Sequence, residues 1–478
     1  MRTVENSRLL MALMALVLVL GLPTVALAAA DLHLPGAELS VLWIIPFAGM
    51  LFSIAIGPLV APFFWHHHFG KISLFWAGAF IVPCLLFYGP ATMLFHVWEV
   101  LTHEYVPYVV LLFTLFTVAG GVRVTGTLVG TPQVNTGILL IGTILASWMG
   151  TTGAAMLLIR PLLRANAHRK YRVHSVVFFI FLVANIGGSL TPLGDPPLFL
   201  GFLKGISFFW PTVHLFLPML LTAVLVLGIY FALETHLYKK EGSPAPLVED
   251  SGTGEKLGLD GKVNLVILLG VVAAVLMSGT LKLGSFEVYH VELKVQGLLR
   301  DAILIGLALL SLKLTDPESR RLNDFNWFPI MEVAKVFFGI FISMIPTILI
   351  LQAGEKGALS GVISLVSRDG APLNYMYFWV TATLGSILDN APTYLVFYNV
   401  AGGDAAQLMG PLAGTLKALS LGTVFSGAMS YIGNAPNFMV RSIAENQGVA
   451  MPSFFAFMLL AIVIMWPIFI LNTLIFFI

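Results

Sequence analysis

Two aspartates stand inside apolar segments of this chain, each close to prolines and small residues. Asp195 lies within residues 187–197 and Asp389 within residues 386–392. An aspartate at the centre of a bilayer costs about 2.5 to 3.5 kcal/mol on insertion scales, so an acid kept there indicates a functional site. A carboxylate partly removed from water can hold a proton near neutral pH and exchange it for Na⁺ or Li⁺. These residues therefore predict the handling of a small cation or a proton.

Helix capping is the structural alternative for both acids. Asp195 precedes Pro196-Pro197, and Asp389 comes three residues before Pro392. An aspartate just before a helix with proline in its first turn is ordinary helix-start chemistry. Because one carboxylate can cap a helix and also bind an ion, both interpretations stay open at this point.

Neutral oxygens near these acids extend the predicted site. Hydroxyl, amide and carboxylate oxygens suit a hard cation such as Na⁺, which we place at Asp195, Asp389 and Asn390. The full predicted ion and proton site comprises Asp195, Asp389, Asn390, Ser386, Thr191, Ser189, Asn434, Thr151 and Thr152.

Three charged residues are secondary candidates. Glu332 and Lys335 lie three residues apart on one helical face, so we expect them to neutralise each other as a structural pair, with a proton path as the alternative. Lys204 follows the first break; it could replace a bound cation, or its side chain could extend to the membrane surface.

Composition places these residues in an all-α polytopic membrane protein. Hydrophobic residues make up 58% of the chain and charged residues 10%, and many apolar runs approach the roughly 20 residues needed to cross a bilayer. We find no nucleic-acid-binding stripe, zinc-ligand spacing, nucleophile motif or nucleotide loop, so no enzymatic activity or cofactor is predicted. The expected surroundings are membrane lipid.

The apolar runs divide into two similar halves of six blocks. In each half the fourth block resembles a hairpin that enters and leaves by one side, and the fifth is a broken helix. Five crossings remain per half, and since five is odd, the second half is predicted to lie inverted relative to the first, as in many secondary transporters. The predicted divisions are a first repeat, 31–237, with hairpin 133–163 and broken helix 174–209; a cytoplasmic linker, 238–261; and a second repeat, 262–478, with hairpin 374–400 and broken helix 411–447.

Residues 1–30 have the layout of a signal peptide. Arg2 and Arg8 precede an apolar run, and small residues follow at 26–30. A retained first helix is the alternative. The basic loop 164–174 is expected in the cytoplasm by the positive-inside rule, which puts residue 41 outside and favours cleavage. We predict a multi-pass protein of a bacterial-type inner (plasma) membrane, with the mature N-terminus outside.

Two motifs resemble a known family. Asp389-Asn390-Ala391-Pro392 and the run from Asn185 to Asp195 are similar to signatures of the ion transporter superfamily, closest to its NhaD-type sodium/proton antiporters. The resemblance implies an inverted-repeat fold with scaffold and transport domains, a homodimer, an elevator-like motion, and an ion site at Asp195, Asp389 and Asn390.

The predicted function is therefore sodium (or lithium)/proton antiport by an alternating-access cycle. A different substrate class is the alternative: a sodium-coupled symporter of citrate, a dicarboxylate or another anion would use the same fold, with hairpin-tip N–H groups and hydroxyls holding the anion.

Overall fold

Long apolar helices dominate the structure. The computed structural model describes residues 32–126, 128–243 and 257–478, so the predicted signal peptide, 1–30, and most of the predicted linker lie outside the described residues. Within the described ranges, eight helices are long and apolar enough to cross a membrane. The chain is an all-α polytopic membrane protein.

The first half contains eight helices and one short strand in the described ranges. Two of the helices meet at Gly150, and two others flank a stretch before Pro196 that is not α-helical and contains one 3-10 turn, Ile186–Leu190. The bounds are α1 Ile45–Val60, α2 Pro62–Val100, α3 Val106–Ala119, β1 Arg123–Thr125, α4 Pro132–Met149, α5 Thr151–Ala165, α6 Val173–Leu182, α7 Pro196–Leu203 and α8 Trp210–Lys240.

The second half repeats this order with additional short elements. A hairpin again meets at a single residue, Asp389, and a broken helix again follows it. The bounds are β2 Gly258–Asp260, α9 Val263–Thr280, β3 Ser285–Val288, β4 Val291–Lys294, α10 Val295–Leu314, α11 Pro317–Leu322, α12 Phe328–Gln352, α13 Ser360–Val366, β5 Ser367–Arg368, β6 Ala371–Pro372, α14 Asn374–Leu388, α15 Asn390–Val400, α16 Ala405–Met409, α17 Ala413–Ser426, α18 Ala435–Asn446 and α19 Phe454–Phe476.

The strands form three small antiparallel pairs: β1 with β2, β3 with β4, and β5 with β6. The first pair joins the end of α3 to the chain just before α9. It therefore ties together segments from the two halves.

Helix packing separates two groups, which we call the framework bundle and the hairpin bundle. The framework bundle contains α1, α2, α3, α9, α10 and α12, with α2 packed along α12 and α3 along α10. The hairpin bundle contains α4 to α8 and α14 to α19, with α14 packed against α17 and α15 against α7. Both hairpins and both broken helices therefore belong to one group.

The chain reverses direction at Gly89, inside the apolar run of residues 73–98. Gly89 has φ 84°, which interrupts the helix and which an L side chain rarely adopts. Before it, Trp65 contacts Glu332 near the start of α12; after it, Tyr105 donates to the carbonyl of Ala334, and Phe113 stacks on Trp327. The two segments thus run in opposite directions beside α12.

The broken helices lie at the centre of the hairpin bundle. Every residue from 175 to 189 is buried, whereas α1, α10 and α19 expose apolar side chains. Unpaired backbone groups are tolerated at membrane depth only where protein or a cavity shields them. The burial of α6 and α17 supplies this shielding. The inverted orientation of the two halves stays a prediction.

Candidate functional site

The two hairpin tips and the two helix breaks meet in the hairpin bundle by matching contacts. The main-chain N–H of Thr151, at the first tip, donates to the carbonyl of Gly194 at 2.9 Å. The N–H of Asn390, at the second tip, donates to the carbonyl of Gly433 at 3.2 Å. Each half therefore joins its hairpin to its own break in the same way.

In each half, a hydroxyl group of the break donates a hydrogen bond to a main-chain carbonyl of the hairpin. Thr191 donates to the carbonyl of Ser147 in the first half, and Ser430 donates to the carbonyl of Ser386 in the second. Ser147 also donates to the carbonyl of Gly187. These bonds replace the helical ones that the chain loses here, as buried backbone groups require.

Asp195 is the centre of the cluster. Its side chain is buried, and its carboxylate accepts hydrogen bonds from the amides of Asn390 and Asn434, each at 2.7 Å, and from the hydroxyl of Thr151 at 3.3 Å. No lysine, arginine or histidine forms a salt bridge with it in the described ranges. A buried carboxylate surrounded only by neutral donors is suited to receive a cation or a proton.

The two acids differ in capping. Asp195 precedes α7, yet its side chain makes no hydrogen bond to an N–H of that helix. Asp389 does cap α15, because its carboxylate accepts from the N–H of Ala391 at 3.2 Å. Capping alone therefore does not explain Asp195.

An asparagine network behind Asp195 was not foreseen from the sequence. Asn434 donates to Asn185, Asn185 donates to Asn437 at 2.8 Å, and Asn437 donates to the carbonyls of Gly427 and Ser430. All three asparagines are buried. The network orients the amide of Asn434 toward Asp195. The available signal was the pair of asparagines three residues apart at the start of α18.

Asn390 carries an unused acceptor. Its Nδ2 donates to Asp195, but its Oδ1 is fully buried and has no hydrogen-bond partner. A buried acceptor left unpaired costs about 1 to 3 kcal/mol. A cation beside Asp195 and Asn390 would offset this cost.

The other predicted oxygens hold the backbone or line the cavity instead of bonding Asp195. Ser189 donates to Ile186, Thr191 to Ser147, and Ser386 to Thr383, in each case to a main-chain carbonyl. Thr152 lines a small cavity beside Asp195.

The secondary candidates have partners that sequence spacing did not predict. The expected Glu332–Lys335 pair does not form: Glu332 accepts from the indole of Trp65 at 3.2 Å, while the ammonium of Lys335 lies 5.6 Å from the ring centre of Phe69. Both partners come from α2, which packs beside α12 and competes successfully for the two side chains.

Lys204 neither reaches the ion site nor extends freely to the surface. Its ammonium lies 2.5 Å from the carboxylate of Glu104, which belongs to a π-helical turn, Leu101–Tyr105, between α2 and α3. The pair is only partly exposed. It links the end of α7 in the hairpin bundle to the framework bundle.

A cavity of about 740 Å³ runs between the two bundles to this cluster. Asp389 and Asn434 lie at its inner end, and the exposed residues Asp324, Asn326 and Asn446 line its mouth. A second cavity of about 90 Å³, beside Asp195, also includes Asp389 and Asn434 in its lining. The large cavity thus leads from the surface to Asp389 and Asn434, and the small cavity borders Asp195 behind them.

Asp389 has a backbone conformation that normally requires glycine. Its φ is 83° and its ψ 140°, and the matching residue of the first hairpin, Gly150, has φ 80° and ψ 149°. Holding a residue with a side chain in such a region costs about 1 to 3 kcal/mol. The strain indicates that the carboxylate is retained at this tip for a functional reason.

Replacing Asp389 by glycine is expected to abolish transport without lowering stability. Both substitutions lose the side-chain cap, which costs about 1 kcal/mol for alanine but only a few tenths for glycine, and only Asp389→Gly relieves the strain. Thermal unfolding of the detergent-purified variants should therefore rank Gly above Ala, with both inactive. A glycine variant less stable than the alanine variant would contradict this account of the tip.

Comparison with known proteins adds the family context. The model of a family described as "Putative citrate transport" matches residues 36–477. The chain is also 25% identical over 332 residues to an uncharacterized transporter of Mycobacterium bovis and, with the same figures, to one of Mycobacterium tuberculosis; each alignment covers 65% of this chain and 69% of the relative.

Proposed function

Because this chain belongs to that citrate-transport family of membrane transporters, we propose that it carries a citrate-like carboxylate across the membrane together with small cations. The cations bind at Asp195, Asn390 and Asp389, and the carboxylate enters by the cavity that ends there. The site at the hairpin tips is accessible first from one side of the membrane and then from the other.

The cavity is the observation that carries the proposal. Its volume of about 740 Å³ lies in the range of small-molecule sites, roughly 300 to 1,000 Å³. A bare Na⁺ or Li⁺ needs much less room. An organic anion with several carboxylates uses both the space and the polar lining.

The charges of the lining explain why cations must accompany the anion. The cavity contains one arginine, Arg160, against three carboxylates, Asp324, Glu332 and Asp389. Like charges in a partly desolvated space repel strongly. A polyanion therefore enters favourably only when bound cations or protons neutralise the carboxylates.

Sodium (or lithium)/proton antiport is the second candidate. The observation in its favour is Asp195, a buried carboxylate without a cationic partner in the described ranges, in a cluster whose motifs resemble NhaD-type antiporters. In this alternative the same residues exchange a cation for a proton, and the large cavity serves only as a water-filled access path.

Orientation and assembly belong to the same proposal. The cavity mouth lies near Arg160 and Asp324, beside the basic loop 164–174 and the short helix α11, which carries Arg320 and Arg321. The positive-inside rule, which counts lysines and arginines, favours a cytoplasmic location for both segments. We therefore assign the mouth to the cytoplasmic side of a bacterial-type inner membrane. From the resemblance to the ion transporter superfamily we also expect a homodimer.

Proteoliposomes loaded with a pH-sensitive dye test both candidates in one assay. Radiolabelled citrate uptake is measured with Na⁺, Li⁺ or K⁺ outside, and collapse of an imposed pH gradient is measured with the same ions without citrate. We expect citrate uptake that depends on a cation, and its loss in Asp195→Asn and Asp389→Asn.

Two outcomes would overturn the proposal. Collapse of the pH gradient by Na⁺ or Li⁺ without citrate, abolished by both substitutions, would establish antiport instead. Cation-independent citrate uptake that survives both substitutions would remove the assigned cation site.

A further inference from the structure

Arg160 lies where an anion would enter the cavity. It is on α5, nine residues after Thr151 at the hairpin tip, so a rise of 1.5 Å per residue puts it about 13 Å from that tip. Of the described residues that line the cavity, Arg160 is the only lysine or arginine. It therefore supplies the fixed positive charge of the vestibule between mouth and site.

Its guanidinium is only partly used. The Nε lies 3.3 Å from the carboxylate of Asp324, whereas Nη1 is buried and has no hydrogen-bond partner. A guanidinium presents five N–H donors in a planar fork that matches a carboxylate with two parallel bonds. The present contact uses Nε and leaves Nη1 without an acceptor.

Asp324 is a weak competitor for the guanidinium. Its side chain is 76% exposed, while that of Arg160 is 14% exposed. An exposed carboxylate that contacts one nitrogen contributes little, because solvent screens the pair. A dissolved carboxylate can displace it at low cost.

The surrounding lining adds polar groups of the appropriate kind. Asn446 and Gln447, at the end of α18, line the same cavity and carry amide donors. Glu332 and Asp389 lie deeper and repel an anion that has no accompanying cation. The vestibule thus favours a carboxylate near the mouth until cations have bound further in.

We infer that Arg160 is the residue that captures a carboxylate of the substrate in the vestibule, in competition with Asp324, before the substrate moves to the cluster at Asp195. This inference rests on the proposed carboxylate transport. It assigns a specificity-determining role to a residue that otherwise resembles a tether between the bundles.

Substitution of the two partners separates capture from tethering. If Arg160 captures citrate, Arg160→Gln raises the KM for citrate about tenfold at the face bearing the mouth, with kcat little changed, because a charge-assisted bond is lost. Asp324→Asn then has the opposite effect and lowers KM, since it frees the guanidinium. Arg160→Lys restores part of the affinity by its charge.

A tether predicts a different pattern. If the Arg160–Asp324 contact only joins the bundles, Arg160→Gln and Asp324→Asn have the same effect, because each breaks the same contact. Both variants then change KM in one direction and kcat in one direction, and that result would overturn the inference. Wild-type protein that transports no citrate would refute the proposed function itself, whereas citrate transport with an unchanged KM in Arg160→Gln would refute only the role of Arg160. Binding of citrate to the purified protein, measured by calorimetry, provides a readout independent of turnover.

Discussion

Asp195→Asn is expected to reduce cation-coupled transport by at least about 100-fold, the largest effect of any conservative change in the chain. The substitution removes the charge and turns one of two accepting oxygens into a donor, which then faces the amide of Asn390 or Asn434. Hydrogen bonds to a charged group are worth about 1.5 to 3 kcal/mol each, and every 1.4 kcal/mol is tenfold in affinity. Uptake in proteoliposomes, with the concentration of the coupling cation varied, measures the loss.

The stability of the Asp195→Asn variant should not fall together with its activity. A neutral amide is cheaper to bury than a carboxylate, and this gain offsets the hydrogen bond that is lost where the new NH2 group faces a donor, so Asp195→Asn should unfold close to the wild-type temperature in detergent. An inactive variant that also fails to fold would leave Asp195 as a structural residue. A fully active, stable variant would show that the carboxylate is dispensable for coupling.

A charge swap provides the matched control. The double variant Asp195→Asn/Asn434→Asp keeps one carboxylate at the cluster but moves it across to the second break. Asn434 normally donates to the carbonyl of Ala184 and to Asn185, so a carboxylate there meets two acceptors. We expect the swap to remain inactive. Recovery of transport would mean that the number of charges matters and their position does not.

Gly194→Ala is expected to disable the protein through its backbone alone. A methyl group at Gly194 would lie 2.2 Å from the carbonyl oxygen of Gly188, a main-chain atom that cannot move aside independently. Overpacking typically costs about 1 to 3 kcal/mol. Here the clash also displaces the backbone of Gly194 itself, whose carbonyl accepts the N–H of Thr151. The unfolding temperature and citrate uptake should both fall sharply.

The second half supplies the comparison for this change. At the equivalent Gly433 the added methyl would lie 3.1 Å from the nearest carbonyl oxygens, those of Gly427 and Ser426, a separation that a small shift can relieve. Gly433→Ala should therefore retain most of its stability and activity. Equal damage from both substitutions would indicate that the two breaks are packed alike, contrary to the distances.

Sequence reasoning found the broken segments because their signal is local. Glycine, proline and polar residues within an apolar run have few explanations in a membrane protein, so the breaks at residues 187–197 and 427–436 could be selected without a structure. The same reasoning selected Asp195, Asn390 and Asn434 as members of one site. It did not determine which of them form bonds, because the contacts join residues about 200 positions apart.

The missed features have different physical causes. Spacing along one helix indicated that Glu332 and Lys335 would pair, but α2 lies close enough to provide a partner for each. In that case tertiary packing decided between options that local sequence leaves nearly equal in free energy. The reversal at Gly89 did have a local signal, the dipeptide Gly89-Pro90, which is masked by the apolar residues that continue on both sides of it.

The Lys204–Glu104 contact has a consequence for speed. It joins the two bundles at the end of α7, away from the cavity mouth, and it touches neither the vestibule nor the cluster at Asp195. If the protein alternates between two orientations, as we propose, a rearrangement that opens that side must first separate the ammonium from the carboxylate. The pair then stabilises the orientation described here, so its removal changes the turnover rate and changes the apparent affinity for every cargo alike. Substitutions at these two positions should therefore make the transporter faster or slower without changing which cargo it prefers.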